Sequence, residues 1–203
     1  MTAIVDYGVG NLFSLKSSLC MIGEEVQVSR DPDVIHLADR LILPGVGAFE
    51  DAAEKLRESG LDQIIRKEAG SGKPLLGICL GMQLLFERSY EYGIHDGLGL
   101  LKGEIRPIAE KIPASFKIPQ MGWNALNIKK ESGILKDIRE GEYVYFVHSY
   151  SATGCGDSLI AVTDYGAELT ACVEKDNIIG CQFHPEKSGD TGIRILKNFC
   201  ELK

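Results

Sequence analysis

The chain has 203 residues, a length that suits one α/β domain of ordinary size. Hydrophobic residues make up 44% and charged residues 25%, a globular balance that calls for no metal or disulfide framework. The formal net charge of −7 at pH 7 sets most of the surface against a nucleic-acid backbone or an anionic membrane.

Ala3-Ile4-Val5 reads as a buried strand ending at Asp6, Gly8–Gly10 as a turn, and Asn11 as the cap of a helix that runs to Ile22 and stops at Gly23. Strands follow at Val26–Val28 and Leu41–Leu43, the latter closed by Pro44-Gly45-Val46-Gly47. A helix is predicted over Phe49–Ala69, then a strand at Leu75–Ile78 and a helix through Phe86. Apolar strands separated by helices indicate a parallel sheet covered on both faces. The second half predicts short strands at Glu104–Pro107, Ala125–Lys130, Tyr143–His148, Ile160–Val162, Thr170–Glu174 and Ile178–Phe183, with a closing helix at Ile193–Phe199. Some of them alternate apolar and polar residues, which suits an antiparallel extension of one sheet within one domain, residues 1–203.

The six cysteines (Cys20, Cys79, Cys155, Cys172, Cys181 and Cys200) form no C-x-x-C pair. No charged-then-apolar leader precedes the first strand, and no apolar run approaches the ~20 residues of a membrane span. The expectation is a reduced, cytoplasmic protein in which five of the six thiols are small core hydrophobes. Lys129–Lys130 reads as a solvated strand end.

The segment Gly77-Ile78-Cys79-Leu80-Gly81-Met82-Gln83 lies between a strand and a helix. Small residues two before and two after Cys79 permit a tight turn that pushes its side chain out at the carboxyl end of the sheet. Backbone N–H groups at the start of the following helix favour a thiolate, and the Leu80 amide would face a developing oxyanion. His184-Pro185-Glu186 follows an apolar run, so His184 can reach that end of the sheet as the base, oriented by Glu186. His148 also ends a strand but has no carboxylate close behind it. His36 and His95 lie in polar surroundings and read as solvated. The Pro44–Gly47 loop offers a second oxyanion donor and does not match a phosphate-binding pattern. Trp123, the one tryptophan, sits between Gly122 and Asn124 in what reads as an exposed turn suited to anchoring a partner.

Together, the P-G-x-G loop, the G-x-C-x-G-x-Q turn and the H-P-E segment resemble the class I, or triad, glutamine amidotransferases. The chain is further similar to one branch of that family, the glutaminase subunits of imidazole glycerol phosphate synthase. That likeness rests on Asp6-Tyr7-Gly8-Val9-Gly10-Asn11 with Ser14, Pro44–Phe49, Met121–Asn124, Tyr145–Tyr150 and His184–Ser188, and it spans essentially the whole chain. It implies a three-layer, flavodoxin-like α/β fold whose mostly parallel central sheet is flanked by helices and carries an antiparallel extension. It implies a triad of Cys79, His184 and Glu186. Substrate and oxyanion contacts would come from Gly45, Val46, Gly47, Leu80, Gln83, Ser149 and Tyr150. Asn11, Trp123 and Lys187 would face the partner. The implied substrate is L-glutamine, with no cofactor and no metal. The implied partner is the (β/α)8 cyclase of that synthase, as a heterodimer, with neither nucleic acid nor membrane involved. The alternative is a close paralogue that supplies ammonia to another biosynthetic synthetase.

Overall fold

A computed structural model describes residues 1–202. The first half contains β1 (Thr2–Val5), α1 (Leu12–Met21), β2 (Val26–Ser29), α2 (Pro32–Leu37), β3 (Arg40–Leu43), α3 (Phe49–Glu58), α4 (Leu61–Gly70), β4 (Leu75–Ile78) and α5 (Leu80–Leu84). The second half contains β5 (Arg88–Ser89), β6 (His95–Asp96), β7 (Glu104–Pro107), β8 (Gln120–Ala125), β9 (Asn127–Ile128), β10 (Tyr143–His148), β11 (Tyr150–Thr153), β12 (Leu159–Asp164), β13 (Glu168–Lys175), β14 (Ile178–Cys181) and α6 (Gly189–Glu201).

Eight strands form the central sheet in the order β2-β1-β3-β4-β14-β13-β12-β9. The pairs from β2 to β14 are parallel, and β13, β12 and β9 extend them antiparallel. Every residue of β1, β4 and β14 is buried, because helices cover both faces. That is why these strands are apolar without alternation. On one face α3 buries Phe49, Ala52, Ala53 and Leu56, the i, i+3, i+4, i+7 stripe of an amphipathic helix. On the other, Leu15 and Leu19 of α1 pack with Ile195, Leu196 and Phe199 of α6. Burying a side chain the size of Phe49 stabilises the fold by roughly 2–3 kcal/mol.

Several sequence expectations need correction. The helix expected over Phe49–Ala69 is two helices, because Gly60 adopts φ +70, a left-handed conformation that breaks the turn. The short helix α2, capped by the Asp31 side chain with Pro32 in its first turn, had not been anticipated. Only part of the second half extends the central sheet, through β14, β13, β12 and β9. β10 and β8 form a separate two-stranded ribbon, and β11-β7-β5-β6 form a four-stranded sheet. Period-2 patterning marks strands without saying which partner they find. The segment Ala125–Lys130 is interrupted at the buried Leu126 between β8 and β9. Cys20 is exposed on the outer side of α1, whereas Cys155, Cys172 and Cys181 are buried and Cys200 is half-buried. Lys129 pairs with Glu168, and Lys130 donates to the Asp157 carbonyl. No helix among the described residues is long and apolar enough to cross a membrane.

The strand order decides where the chemistry sits. β3, β4 and β14 are neighbours, and their carboxyl ends lead into the Pro44–Gly47 loop, Cys79 and His184 respectively. The register aligns Leu43 with Gly77 and Cys181 with Ile78, so three segments distant in sequence leave the sheet side by side. The glycines around Cys79 are set by close approach. A Cβ on Gly77 would lie 2.7 Å from Gly81 O and from Met82 N, and one on Gly81 would overlap the Leu43 carbonyl. Gly81→Ala is therefore expected to overpack backbone against backbone and to destabilise the fold by about 3 kcal/mol. Urea denaturation would show the midpoint falling at unchanged slope.

Candidate active site

Cys79 occupies the junction of β4 and α5 at φ 54, ψ −112, a positive-φ conformation uncommon for a side-chain-bearing residue. Its amide donates to Cys181 O at 2.8 Å and its carbonyl accepts from Gln83 N at 3.1 Å, so both sides of the turn are tied down. The Sγ atom lies 3.9 Å from Val147 O and 3.8 Å from Gln182 Nε2.

His184 follows β14, and a 3-10 turn at Pro185–Lys187 brings Glu186 back beneath its ring. Nδ1 and Glu186 Oε1 are 2.8 Å apart, and both side chains are buried. The histidine backbone is held by β10: His184 N donates to Tyr145 O at 2.9 Å. Ser188 Oγ donates to His184 O at 2.6 Å and accepts from Tyr145 N at 3.0 Å. Burial would pull the imidazole's pKa down. Contacts with the Cys79 sulfur and then with the Glu186 carboxylate outweigh it and lift the pKa to about 9. With Nδ1 taken by Glu186, Nε2 is the ring atom left to face the Cys79 sulfur, and no hydrogen bond of ordinary length among the described residues occupies it.

His148, the rival on sequence, is also at the site and has the opposite character. Burial, helped by the charge of His184, lowers its pKa to about 4 against the pull of a 2.8 Å hydrogen bond to Tyr150 O. Nδ1 is therefore the donor, and the ring stays neutral at pH 7. Two histidines pushed apart in this way leave His184 able to carry the extra proton and His148 neutral, donating through Nδ1. Two things separate them: His184 contacts the Cys79 sulfur and has a carboxylate behind its ring, and His148 has neither, the missing carboxylate being visible in sequence.

A cavity of about 290 Å³ opens between these elements, with room for one amino-acid-sized molecule. Of the residues expected there, Cys79, His184, Val46, Gly47, Leu80, Gln83, Ser149 and Tyr150 line it. Gly45 does not: a Cβ there would meet Gly81 N at 2.7 Å and Leu80 Cβ at 2.9 Å, so it lets the loop pack on the start of α5. Gly47 has φ +96, which a substituted residue would resist. Gln83 faces the cavity, but its amide is already engaged, donating to Tyr150 O at 3.1 Å and to Gln182 Oε1 at 3.0 Å. Ser149 O accepts from Ile108 N, so the carbonyls of both Ser149 and Tyr150 already have donors.

Sequence reasoning missed two polar groups at the site. Gln182 bridges Gln83 and Cys79, and a glutamine inside the apolar run Ile178–Phe183 was the available signal. Glu91 lines the cavity, accepts from Phe49 N at 2.6 Å and is shifted upward mainly by burial. It lies in a loop with no pattern to mark it. His95, expected to be solvated, has a largely buried side chain beside Glu50.

Asn11, Trp123 and Lys187 lie outside the cavity lining. Asn11 caps α1, its Oδ1 accepting from Ser14 N at 3.4 Å. Trp123 sits in β8 and not in a turn, because it pairs in register with Tyr145 of β10. It remains 52% exposed, with its ring edge-on to Tyr145 at 6.0 Å, and Lys187 Nζ stands 5.9 Å from the same Tyr145 ring. Met121 is exposed on the same strand. Among the described residues no group of three or more His, Cys, Asp or Glu is placed to hold a metal ion.

A family model described as glutamine amidotransferase class-I matches residues 3–202. The chain belongs to the class-I glutamine amidotransferases. Imidazole glycerol phosphate synthase subunit HisH of Wolinella succinogenes is 51% identical over all of both chains. The subunit of the same name from Caldanaerobacter subterraneus subsp. tengcongensis is 50% identical, covering 100% of this chain and 98% of its own. A solved glutamine amidotransferase with 20% identity superposes at a TM-score of 0.75, with 98% of each chain covered, which shows the shared fold. As a class-I glutamine amidotransferase the protein hydrolyses glutamine. A chain of this family therefore needs a site that cleaves a carboxamide and releases ammonia.

Proposed function

We propose that this chain is the glutaminase subunit of an imidazole glycerol phosphate synthase, a single domain acting in the cytoplasm in histidine biosynthesis. In this reading it pairs as a heterodimer with a (β/α)8 cyclase that consumes its ammonia. The observation that carries the chemistry is Cys79 and His184 at the wall of the cavity with Glu186 behind the His184 ring, so that His184 is held as the acid.

The Cys79 thiolate attacks the carboxamide carbon of glutamine, and the carbonyl electrons move onto oxygen. Backbone N–H groups of Leu80 and of the Pro44–Gly47 loop stabilise that charge. His184 donates its Nε2 proton to the leaving nitrogen, the C–N bond breaks, and ammonia departs from a thioester. His184, now neutral, takes a proton from water as its oxygen attacks the thioester carbon; the C–S bond breaks, glutamate leaves, and the Cys79 thiolate and His184 imidazolium are restored. Glu186 holds the ring in register throughout. Glu91 gives the cavity the negative charge that suits an α-ammonium group, and Gln83 orders the wall that the substrate meets.

Ammonia released to bulk water at neutral pH is protonated and loses its nucleophilicity, so a partner must seal the exit. In this reading Trp123 and Lys187 around Tyr145, with the exposed Met121, belong to the face that meets the partner, and Asn11 at the start of α1 is a further contact. The test is glutaminase activity with and without a (β/α)8 cyclase, which is expected to bind and to raise turnover. Trp123→Ala is expected to weaken that binding about 10–100-fold, the loss typical of a tryptophan anchor, at unchanged thermal stability. Association with an unrelated synthetase in place of the cyclase would overturn the assignment.

A further inference from the structure

Tyr7 follows β1 and is buried outside the cavity lining, where a phenylalanine would fill the same space. Its hydroxyl donates to Pro44 O at 2.6 Å. The same oxygen marks a point of close approach: a Cβ on Gly45 would lie 2.9 Å from Tyr7 Oη, 2.9 Å from Leu80 Cβ and 2.7 Å from Gly81 N. Three segments therefore meet at this hydroxyl: the end of β1, the loop after β3 and the start of α5. On the far side the Pro44 ring is backed by Gly10, where a Cβ would stand 3.1 Å from Pro44 Cβ and Cγ.

The peptide bond is planar, with its C=O and N–H on opposite sides. Fixing the direction of Pro44 O fixes Gly45 N–H and the heading with which the loop departs. Burial first, and the neighbouring Cys79 second, keep the phenol protonated well beyond its ordinary range, so it remains a donor wherever the enzyme works.

We propose that Tyr7 is a positioning residue for the oxyanion pocket: its hydroxyl pins the Pro44–Gly45 peptide against Leu80 and so sets the spacing between the loop donor and the Leu80 donor. This rests on the reading of that loop and of Cys79 given above. Donors to an oxyanion work within a few tenths of an ångström, so a released pin costs turnover more than binding.

The test is Tyr7→Phe in the full chain, assayed with the cyclase. Turnover is expected to fall about tenfold at nearly constant KM, because the loss falls on the transition state. Alkylation of Cys79 by iodoacetamide, followed on the Cys79 peptide, needs no oxyanion and should keep its rate. Amide hydrogen exchange at Gly45–Gly47 should quicken by about tenfold, the effect of one lost hydrogen bond. An active wild type with unaltered turnover and exchange in Tyr7→Phe overturns the proposal alone. Equal falls in turnover and alkylation also overturn it, since the hydroxyl would then act on the thiol. A wild type without glutaminase activity, even with the cyclase, removes the functional reading and this role with it.

Discussion

Cys79→Ala is expected to reduce glutamine hydrolysis by about 10⁴-fold or more, to the background of the assay, because no other group can form the thioester. The substitution is sterically quiet. Alanine and cysteine meet the same backbone restriction at φ 54, and the thiol's polar neighbours are distant contacts at 3.8–3.9 Å. Melting temperature should therefore hardly move. The partner supplies a second readout: with ammonium salts at alkaline pH in place of glutamine, the synthase reaction should proceed at its wild-type rate. Glutamine-dependent turnover surviving in Cys79→Ala would remove Cys79 from the mechanism. Loss of the ammonia-dependent reaction as well would point to a damaged complex.

The second large effect is expected at Glu186. Glu186→Gln keeps the shape of the side chain but removes the charge that, after the Cys79 contact, lifts the His184 pKa. It also lets the amide donate where the carboxylate had to accept. A drop of about 10²–10⁴-fold in kcat is expected, with little change in KM. In the wild type, kcat/KM should hold to high pH and fall as pH rises through about 9, where His184 loses the proton it gives to ammonia. In Glu186→Gln that alkaline limb should move to lower pH. Stability has the same sign. A histidine whose folded pKa is raised from 6.5 to about 9 contributes stability that is present in full below pH ~6.5 and is lost as pH rises through about 9. Denaturation midpoints measured across that window should decline in the wild type and decline less in the variant. An alkaline limb that stays put would separate Glu186 from the histidine.

The parts of the site legible in sequence were those fixed by local covalent geometry. Cys79 between Gly77 and Gly81, the Pro44–Gly47 loop and the two-residue step from His184 to Glu186 each constrain a short stretch of backbone, so spacing alone carries them. The parallel half of the sheet was legible for a related reason: strands buried on both faces have no freedom to be polar. What was not legible depends on partners remote in sequence. Gln182 gains its place from Gln83, and Glu91 from Phe49. The ribbon of β8 and β10 and the four-stranded sheet are selected by tertiary packing, which the alternation of single strands does not encode. Trp123 shows both sides: its exposure was expected, whereas its strand conformation follows from Tyr145 across the ribbon.

The backbone at Cys79 has a consequence for how the protein evolves. A side-chain-bearing residue at φ 54, ψ −112 costs on the order of 1–3 kcal/mol relative to a relaxed conformation. Glycine would carry almost none of that cost, so the most stable chain of this fold is an inactive one. The intact fold is thus under two opposed selections at one position, and drift that relaxes the demand for glutamine hydrolysis would reward losing the thiol. Among descendants of such a chain that keep the scaffold for binding alone, the nucleophile position is where glycine should accumulate first, ahead of changes at the buried His184 and Glu186 pair.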